Sequence, residues 1–182
     1  MDEVTQDEEP TKVVFEKFAK LKPAFKKDGT ITAANASKLN DGAAAIVMAS
    51  ESKVKELGLK PRATLVAWAS HSQEPIKFPT APAPAMEKVL QKAGWKKDEV
   101  DLFEINEAFS VVPLANIKVA GLDPEKVNVH GGAVSLGHPI GASGARIIVT
   151  LLNAMERRNV KKGVASICIG GGEALAVAIE RN

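Results

Sequence analysis

Three short stretches of the sequence hold side chains that can carry out acyl transfer. Cys168, the only cysteine, lies in SICIGGGEA shortly before three glycines; His138 lies between a glycine and a proline; and Asn106 opens the stretch NEAF. A thiol, an imidazole and an amide donor beside glycine-rich backbone suit acyl transfer through a thiolate and an oxyanion. Successive N–H groups of the three glycines could point at such an oxyanion.

Each of these features also has a structural interpretation. A free cysteine is often a small buried hydrophobe, an asparagine at a helix start is often a cap, and three glycines after a strand often form a tight turn. His71 and His130 lack reactive neighbours, and we interpret both as structural. Three histidines and one cysteine do not have the spacing of a zinc site. The residues alone leave Cys168 open between a nucleophile, a proton shuttle and a core residue.

The elements that must position these side chains alternate between strands and helices. Predicted strands cover RATLVAWASHS, VDLFEI, KVNVHGG, GVASICI and ALAVAIER. Predicted helices cover PAMEKVLQKAGW, NEAFSVVPLANIKVAG and ARIIVTLLNAMERR, the last apolar on most faces and therefore expected to be buried. This order predicts a layered α/β domain with a mostly parallel or mixed sheet. Residues beyond the carboxyl ends of such strands converge on one crevice, which would bring Asn106, His138 and Cys168 within reach of one another.

The first sixty residues have a different texture. Residues 1–29 are charged and only sparsely apolar, as expected of a connecting arm. The apolar run from Ala43 to Ala49 is strand-like, and ESKVKELGL predicts a short helix that ends at Gly58.

Composition excludes several classes of function. The 182 residues are 45% hydrophobic and 25% charged, with a formal net charge of +2, so a nucleic-acid partner is not expected. The sequence contains no apolar run of the roughly 18 residues that a membrane span needs. The start, MDEVTQDEEP, has acids and no base, unlike a mitochondrial transit peptide, and it lacks the apolar core of a signal peptide. We therefore expect no targeting segment within these residues.

The motifs together resemble those of a known family. NEAF at 106–109, GGAVSLGHPIGASGAR at 131–146 and CIGGG at 168–172 resemble the C-terminal half of the thiolases, and TAANASKLNDGAAA at 32–45 resembles the end of their N-terminal half. The resemblance implies a thiolase-fold C-terminal domain with a mixed five-stranded sheet at 61–182. It also implies an incomplete remnant of the N-terminal domain at 30–60, after a linker or loop segment at 1–29.

The resemblance also implies catalytic roles. Cys168 matches the cysteine that acts as general acid/base on the acetyl-CoA carbanion. His138 matches the histidine that activates the nucleophilic cysteine and donates to the thioester oxygen. Asn106 matches the residue that anchors a water in the first oxyanion hole, and the N–H of Gly170 matches part of the second hole.

Further matches concern binding. Ser37 matches a contact to the pantetheine arm of coenzyme A, and Phe78, followed by proline, matches a dipeptide that accompanies 2-methyl-branched acyl chains. A potassium site is implied by the positions that match its carbonyl ligands, Ala33, Ala34, Ala36 and Val134.

The motifs are most similar to the acetoacetyl-CoA type of thiolase, which interconverts acetoacetyl-CoA plus CoA with two acetyl-CoA. This similarity implies acyl-CoA substrates, a homotetramer and a role in fatty-acid, ketone-body and isoleucine metabolism. It also implies a mitochondrial setting, with a cytoplasmic one as the alternative. A thiolase half is expected to pair with an N-terminal half or with other thiolase subunits across an exposed apolar face.

The sequence departs from the family pattern in three respects. His130 stands where asparagine is usual, and Glu173 stands where a small or uncharged residue is usual, so its carboxylate would raise the pKa of the Cys168 thiol if it faced the site. No second cysteine is present to act as nucleophile. We therefore expect the chain alone to be inactive. The alternatives are a non-catalytic truncated product that binds CoA or a thiolase subunit, and a carbon-bond-forming synthase relative, which would commonly have a histidine at the Cys168 position.

Overall fold

The computed structural model describes residues 3 and 5–182. Its helices, apart from short 3₁₀ turns, are α1 (Glu9–Lys12), α2 (Glu51–Glu56), α3 (Pro82–Ala93), α4 (Val111–Ala120), α5 (Ala133–Leu136) and α6 (Ser143–Arg158). Its strands are β1 (Ala63–Ser72), β2 (Leu102–Ile105), β3 (Lys162–Ile169) and β4 (Glu173–Arg181). No helix in this described part is long and apolar enough to cross a membrane.

The helix ends follow local sequence signals. Helix α2 starts after Ser50, whose hydroxyl accepts a hydrogen bond from the backbone N–H of Lys53. Helix α3 has proline in its first turn, where no backbone donor is needed, and it ends at Gly94 with φ 70°. Helix α4 likewise ends at Gly121 with φ 59°. These signals confirm the helices predicted for this part of the chain.

The four strands form one mixed sheet in the order β1-β4-β3-β2. Strand β4 runs antiparallel to both β1 and β3, and β2 runs parallel to β3. In the parallel pair, Ile105 lies opposite Ser166, so β2 and β3 point the same way at the edge where Asn106 begins. The prediction of a mixed sheet in a layered α/β domain is confirmed.

Helices cover the two faces of the sheet. Helices α3 and α4 pack on one face over a core that includes Met86, Val89, Phe103 and Ile105. Helix α6 packs on the other face, against β2 and β3. It buries one side, at Ile147, Leu151, Ala154 and Met155, and leaves the rest partly exposed, so the expectation of a helix buried on most faces was wrong.

The prediction of five strands was wrong by one strand. The KVNV stretch makes only isolated bridges, one of them between Val127 and Phe103. Asn128 explains the difference, because its backbone has φ 48° and leaves the extended conformation. Its side chain then replaces a strand: Oδ1 accepts from the Ile105 N–H at 2.7 Å, and Nδ2 donates to the Ile105 carbonyl at 2.8 Å.

The strand-like run from Ala43 to Ala49 is not a strand in the structure. It has no regular secondary structure and is largely solvent-exposed, with Val47 98% exposed. An extended segment is stable as a strand only when a neighbouring strand takes up its backbone groups, and none of the described strands pairs with this run.

Most side chains of the described residues before Gly29 are exposed. Two contacts attach the end of this segment to the body of the molecule. The backbone N–H of Ala24 donates to the Ile31 carbonyl at 2.7 Å, and the Phe25 ring packs edge-on against Phe109 at 5.7 Å between centroids. The domain boundaries drawn from the sequence remain a prediction.

One part of the α6 face of the sheet is covered by none of the described helices. Trp68 pairs with Val177, and Leu175 pairs with Ile167, so these apolar side chains share a face. Helix α6 lies over β2 and β3 and leaves Trp68 65% exposed. The domain therefore has the exposed apolar face that was expected of a thiolase half.

Candidate active site

The site lies where two parallel strands end. Asn106 follows β2, and its backbone N–H donates to the Ser166 carbonyl of β3 at 2.9 Å. Cys168 lies two residues beyond Ser166 on β3. The sheet thus brings two of the predicted residues to the same edge, as the rule for parallel strands requires.

His138 joins Asn106 through a direct side-chain contact. The Nδ2 of Asn106 lies 3.3 Å from His138 Nε2, and His138 Nδ1 lies 2.7 Å from the Ser143 hydroxyl at the start of α6. The His138 backbone N–H donates to the Lys38 carbonyl at 2.8 Å, so the upstream segment also holds the residue. Burial, with a smaller contribution from the Arg146 charge, lowers the pKa of His138, which favours the neutral base. Asn106 is not a helix cap, because α4 starts only at Val111.

Behind Asn106 lies a buried ion pair that sequence reasoning missed. Arg146 donates to Glu104 at 3.2 Å, and the two side chains are 18% and 2% exposed. Burial raises the pKa of Glu104 to about 7, against the opposing effect of the Arg146 charge. A signal was available, because Glu104 is the only charged residue in the otherwise apolar strand β2. A carboxylate in a buried strand requires a partner.

Cys168 is buried in the core rather than exposed as an activated nucleophile. It belongs to the α3 and α4 side of the core, against which Phe78 and Phe109 pack. Burial raises the pKa of the Cys168 thiol to about 11. The conditional expectation that Glu173 perturbs this thiol is not met. Glu173 lies opposite Ile169 in the hairpin and is not among the causes of the shift.

Among the described residues, no hydrogen bond joins Cys168 to Asn106 or His138. The three glycines after Cys168 form the turn between β3 and β4. The Gly172 N–H donates to the Ile169 carbonyl at 3.1 Å, and Gly172 has φ 96°, which favours glycine. No backbone bond within the described chain uses the N–H of Gly170. The glycine run is therefore a tight turn, and among the described residues the N–H groups of Gly170 and Gly171 have no backbone partner near Cys168.

The remaining predicted residues surround the stretch that follows Asn106. The Ser37 hydroxyl donates to the Ala108 carbonyl at 2.7 Å. The Phe78 ring packs against Phe109 with 6.4 Å between centroids. The Val134 N–H donates to the Glu107 carboxylate at 3.0 Å, which ties α5 to the NEAF stretch.

The proposed carbonyl ligands are backbone groups of a loop. None of the hydrogen bonds among the described residues ends on the carbonyl oxygens of Ala33, Ala34 or Ala36. Carbonyl oxygens are ligands that hard cations accept. No group of three His, Cys, Asp or Glu side chains in the described chain could hold a metal ion. Carbonyl oxygens suit a hard cation better than a soft transition metal, and the potassium site stays a prediction.

An open groove of about 440 Å³ lies next to His138, between the 40–44 segment and the start of α6. Its walls touch at Gly42, where an added Cβ would lie 2.8 Å from the Pro139 ring. A side chain at that position would push the two walls apart.

Comparison with known proteins places the chain in one family. The model of the thiolase C-terminal domain matches residues 59–181, and the model of the thiolase N-terminal domain matches residues 1–52.

Three curated relatives are named for the same activity. A probable acetyl-CoA acetyltransferase of Dictyostelium discoideum is 57% identical over 98% of this chain and 43% of its own length. A mitochondrial acetyl-CoA acetyltransferase of Rattus norvegicus is 56% identical over 98% of the chain and 42% of its own length. A cytosolic one of Gibberella zeae is 50% identical over 97% of the chain and 45% of its own length. The chain thus spans less than half the length of these relatives.

Solved structures agree. The Bacillus anthracis acetyl-CoA acetyltransferase superimposes with a TM-score of 0.92 at 50% identity, over 97% of this chain and 45% of that one. A thiolase from Ascaris suum in complex with coenzyme A superimposes with a TM-score of 0.87 at 49% identity, over 98% of this chain and 47% of that one.

Proposed function

Because the chain belongs to the thiolase family, we propose that it supplies the C-terminal catalytic groups of an acetyl-CoA C-acetyltransferase. The reaction is the interconversion of acetoacetyl-CoA plus CoA with two acetyl-CoA. The observation that carries this proposal is the contact between the Asn106 and His138 side chains. Asn106 follows the end of β2, and Cys168 lies on the neighbouring strand, β3.

His138 is proposed as the base that activates the nucleophilic cysteine. A lowered pKa keeps the ring neutral, so that it can take the thiol proton. The resulting thiolate attacks the keto carbon of acetoacetyl-CoA, and the protonated ring can then donate to the thioester oxygen. Asn106 keeps one N–H that no hydrogen bond of the described residues uses, and this donor is suited to anchoring a water that, with His138, faces the thioester oxygen.

Cys168 is proposed as the acid that completes carbon–carbon cleavage. When the bond breaks, its electron pair stays on the departing acetyl-CoA carbon, which takes the proton from Cys168. The raised pKa of Cys168 keeps the thiol protonated at neutral pH, as a proton donor requires. The N–H of Gly170 is available to stabilise the other oxyanion, the one that forms on the attacked keto carbon. The Cys168 thiolate then takes the proton of the CoA thiol, the CoA sulfur takes the acyl group, and the released nucleophile regains its proton from His138.

Coenzyme A is proposed to bind beside Ser37, at the loop that contacts the NEAF stretch. The complex of the Ascaris suum relative with coenzyme A supports this ligand. Phe78 is proposed to favour 2-methyl-branched acyl chains. The carbonyls of Ala33, Ala34, Ala36 and Val134 are proposed to hold a potassium ion, which would order the loop around bound CoA.

The oligomeric state, metabolic role and compartment are also proposed from the family. We propose that the chain is part of a homotetrameric acetyl-CoA acetyltransferase that serves ketone-body, fatty-acid and isoleucine metabolism in the mitochondrion. Fractionation of the source cells with a mitochondrial marker tests the compartment, and recovery with the cytosolic marker would refute it.

The nucleophilic cysteine is proposed to come from residues outside this sequence, because Cys168 is the only cysteine here. A chimera tests this, in which the N-terminal segment of the Dictyostelium discoideum relative precedes this chain. The chimera should cleave acetoacetyl-CoA in the presence of CoA, and the 182-residue chain alone should not. Cys168→Ser and His138→Ala should each lower kcat by about 10²-fold or more.

His130→Asn is the matched control, because the side chain is exposed and asparagine is usual in the family at this position. It should leave turnover unchanged. Robust thiolysis by the isolated chain, or an active Cys168→Ser chimera, would refute the proposal.

The uncovered sheet face around Trp68 and Leu175 favours a second candidate, a non-catalytic product that pairs with a thiolase subunit. Sedimentation of the chain mixed with a full-length relative tests it. A heteromeric species that disappears with Trp68→Ser would support this candidate, whereas unchanged sedimentation of both proteins would count against it.

A further inference from the structure

The two ends of the Arg146 guanidinium contact different groups. Nη1 donates to Oε1 of Glu104 at 3.2 Å, and Nη2 donates to Oδ1 of Asn106 at 3.4 Å. Arginine has five N–H donors and no acceptor. The atom of Asn106 that faces Arg146 must therefore be the amide oxygen, and the amide nitrogen must face His138.

This orientation of the amide determines what His138 can do. The Nδ2 group of Asn106 is a donor, so the Nε2 atom of His138 must accept, which requires that Nε2 carry no proton. The hydrogen bond from Asn106 thus requires a neutral His138 imidazole with its proton on Nδ1.

Ser143 imposes the same requirement from the other end of the ring. Its hydroxyl donates its only proton to the Pro139 carbonyl at 3.0 Å, so the oxygen can only accept from His138 Nδ1 at 2.7 Å. Two independent hydrogen bonds therefore select one tautomer of His138. The bond from Asn106 depends on Arg146 for its direction.

We propose that Arg146, held by Glu104, is a positioning residue that orients the Asn106 amide and thereby keeps the Nε2 lone pair of His138 free of a proton. The inference rests on the proposed function in one respect: in that function Nε2 is the atom that accepts the proton of the nucleophilic cysteine. The burial of the ion pair is consistent with this role, because removing two charges from water is costly and Arg146 makes contact with both Glu104 and Asn106.

Nitrogen NMR of the histidine rings in the 182-residue chain tests the proposal, because the ¹⁵N shift separates protonated from unprotonated ring nitrogens. Spectra are recorded at a pH where the wild-type ring is neutral, and His138 is assigned by its absence in His138→Gln. Wild-type protein should show a protonated Nδ1 and an unprotonated Nε2. Ser143→Ala should retain this tautomer, because the Asn106 amide still donates to Nε2.

Adding Arg146→Met to Ser143→Ala should weaken the preference of His138 for the tautomer with its proton on Nδ1. The Asn106 amide is then free to rotate, and loss of its directed hydrogen bond should lower the ratio of the Nδ1–H to the Nε2–H form about fivefold or more. Arg62→Met in the same background is the matched control, since Arg62 forms an exposed pair with Glu156. An unchanged ratio in the Ser143→Ala, Arg146→Met protein would overturn the proposal.

Asn106→Asp provides a second test that leaves Arg146 intact. The carboxylate keeps an acceptor for Arg146 but replaces the N–H that faces His138 with an acceptor. Nε2 of His138 should therefore become protonated, and an Nε2 that stays unprotonated would contradict the proposed orientation. Both tests are spectroscopic and need no turnover, so their outcome is separate from that of the chimera assay.

Discussion

Asn128 offers a quantitative test of how the edge of the sheet is held. Strand β2 is the last strand of the sheet, and on its free side the Asn128 side chain makes two hydrogen bonds to Ile105, at 2.7 and 2.8 Å. Asn128→Gly removes both bonds but tolerates the φ of 48°. At about 1 kcal/mol for each bond, the free energy of unfolding should fall by about 2 kcal/mol.

Asn159 is the matched control. It has nearly the same backbone, with φ 52°, but its side chain accepts only one hydrogen bond, from Arg181 at an exposed site. Asn159→Gly should therefore change the free energy of unfolding by no more than about 0.5 kcal/mol. Replacement by alanine should add about 1–2 kcal/mol of left-handed backbone strain at either position. The expected losses are thus about 3–4 kcal/mol for Asn128→Ala and about 1–2 kcal/mol for Asn159→Ala.

Urea unfolding of the 182-residue chain, followed by far-ultraviolet circular dichroism, measures these four values. The difference between alanine and glycine should be the same at the two positions, since it reports only the backbone strain. An Asn128→Gly protein that loses no more stability than Asn159→Gly would refute the conclusion that the side chain of Asn128 acts as a substitute strand.

Three further predictions concern the core and the glycine turn. Burial raises the pKa of Cys168 to about 11, so the rate of its alkylation by iodoacetamide should increase with pH without a plateau up to about pH 10. The rate for the urea-unfolded chain should reach half of its maximum near the ordinary thiol pKa of about 8.5 and level off above it. Gly172→Ala should lower the free energy of unfolding by about 3 kcal/mol or more, because the added Cβ meets the Gln73 carbonyl at a φ of 96°. Gly94→Ala, at φ 70° with open space around it, should cost only about 1–2 kcal/mol in the same urea titration. Asn116→Ala removes three hydrogen bonds of 2.7 Å made by a buried side chain, so it should cost about 3–5 kcal/mol, and a Tm equal to that of the wild type would refute this prediction.

Much of the fold follows from local patterns in the sequence. The alternation in β1 and β4 and the glycines after α3 and α4 depend on residues only a few positions apart, so the sequence states them directly. The same holds for the positions of Asn106 and Cys168 just after or near the ends of β2 and β3. The NEAF, GHPIG and CIGGG motifs were sufficient for the thiolase family, which the family models confirm.

The tertiary structure decided what depends on distant residues. The KVNV stretch has the composition of a strand, but the Asn128 side chain bonds Ile105, 23 positions away, and replaces the ladder. The 43–49 run also has strand composition, yet no strand of the described chain lies beside it. Composition reports whether a segment can be extended; only the position of a neighbour decides whether it becomes a strand.

The candidate site divides in the same way. The sequence determined the residue types, with a thiol, an imidazole and an amide beside glycines. The structure determined their hydrogen-bond roles, because the proton position on His138 depends on Ser143 and Asn106, and the orientation of Asn106 depends on Arg146, 40 positions further along the chain. A donor and an acceptor can exchange a proton only at hydrogen-bond distance, and that distance is set by the packing of α6 against β2 and β3.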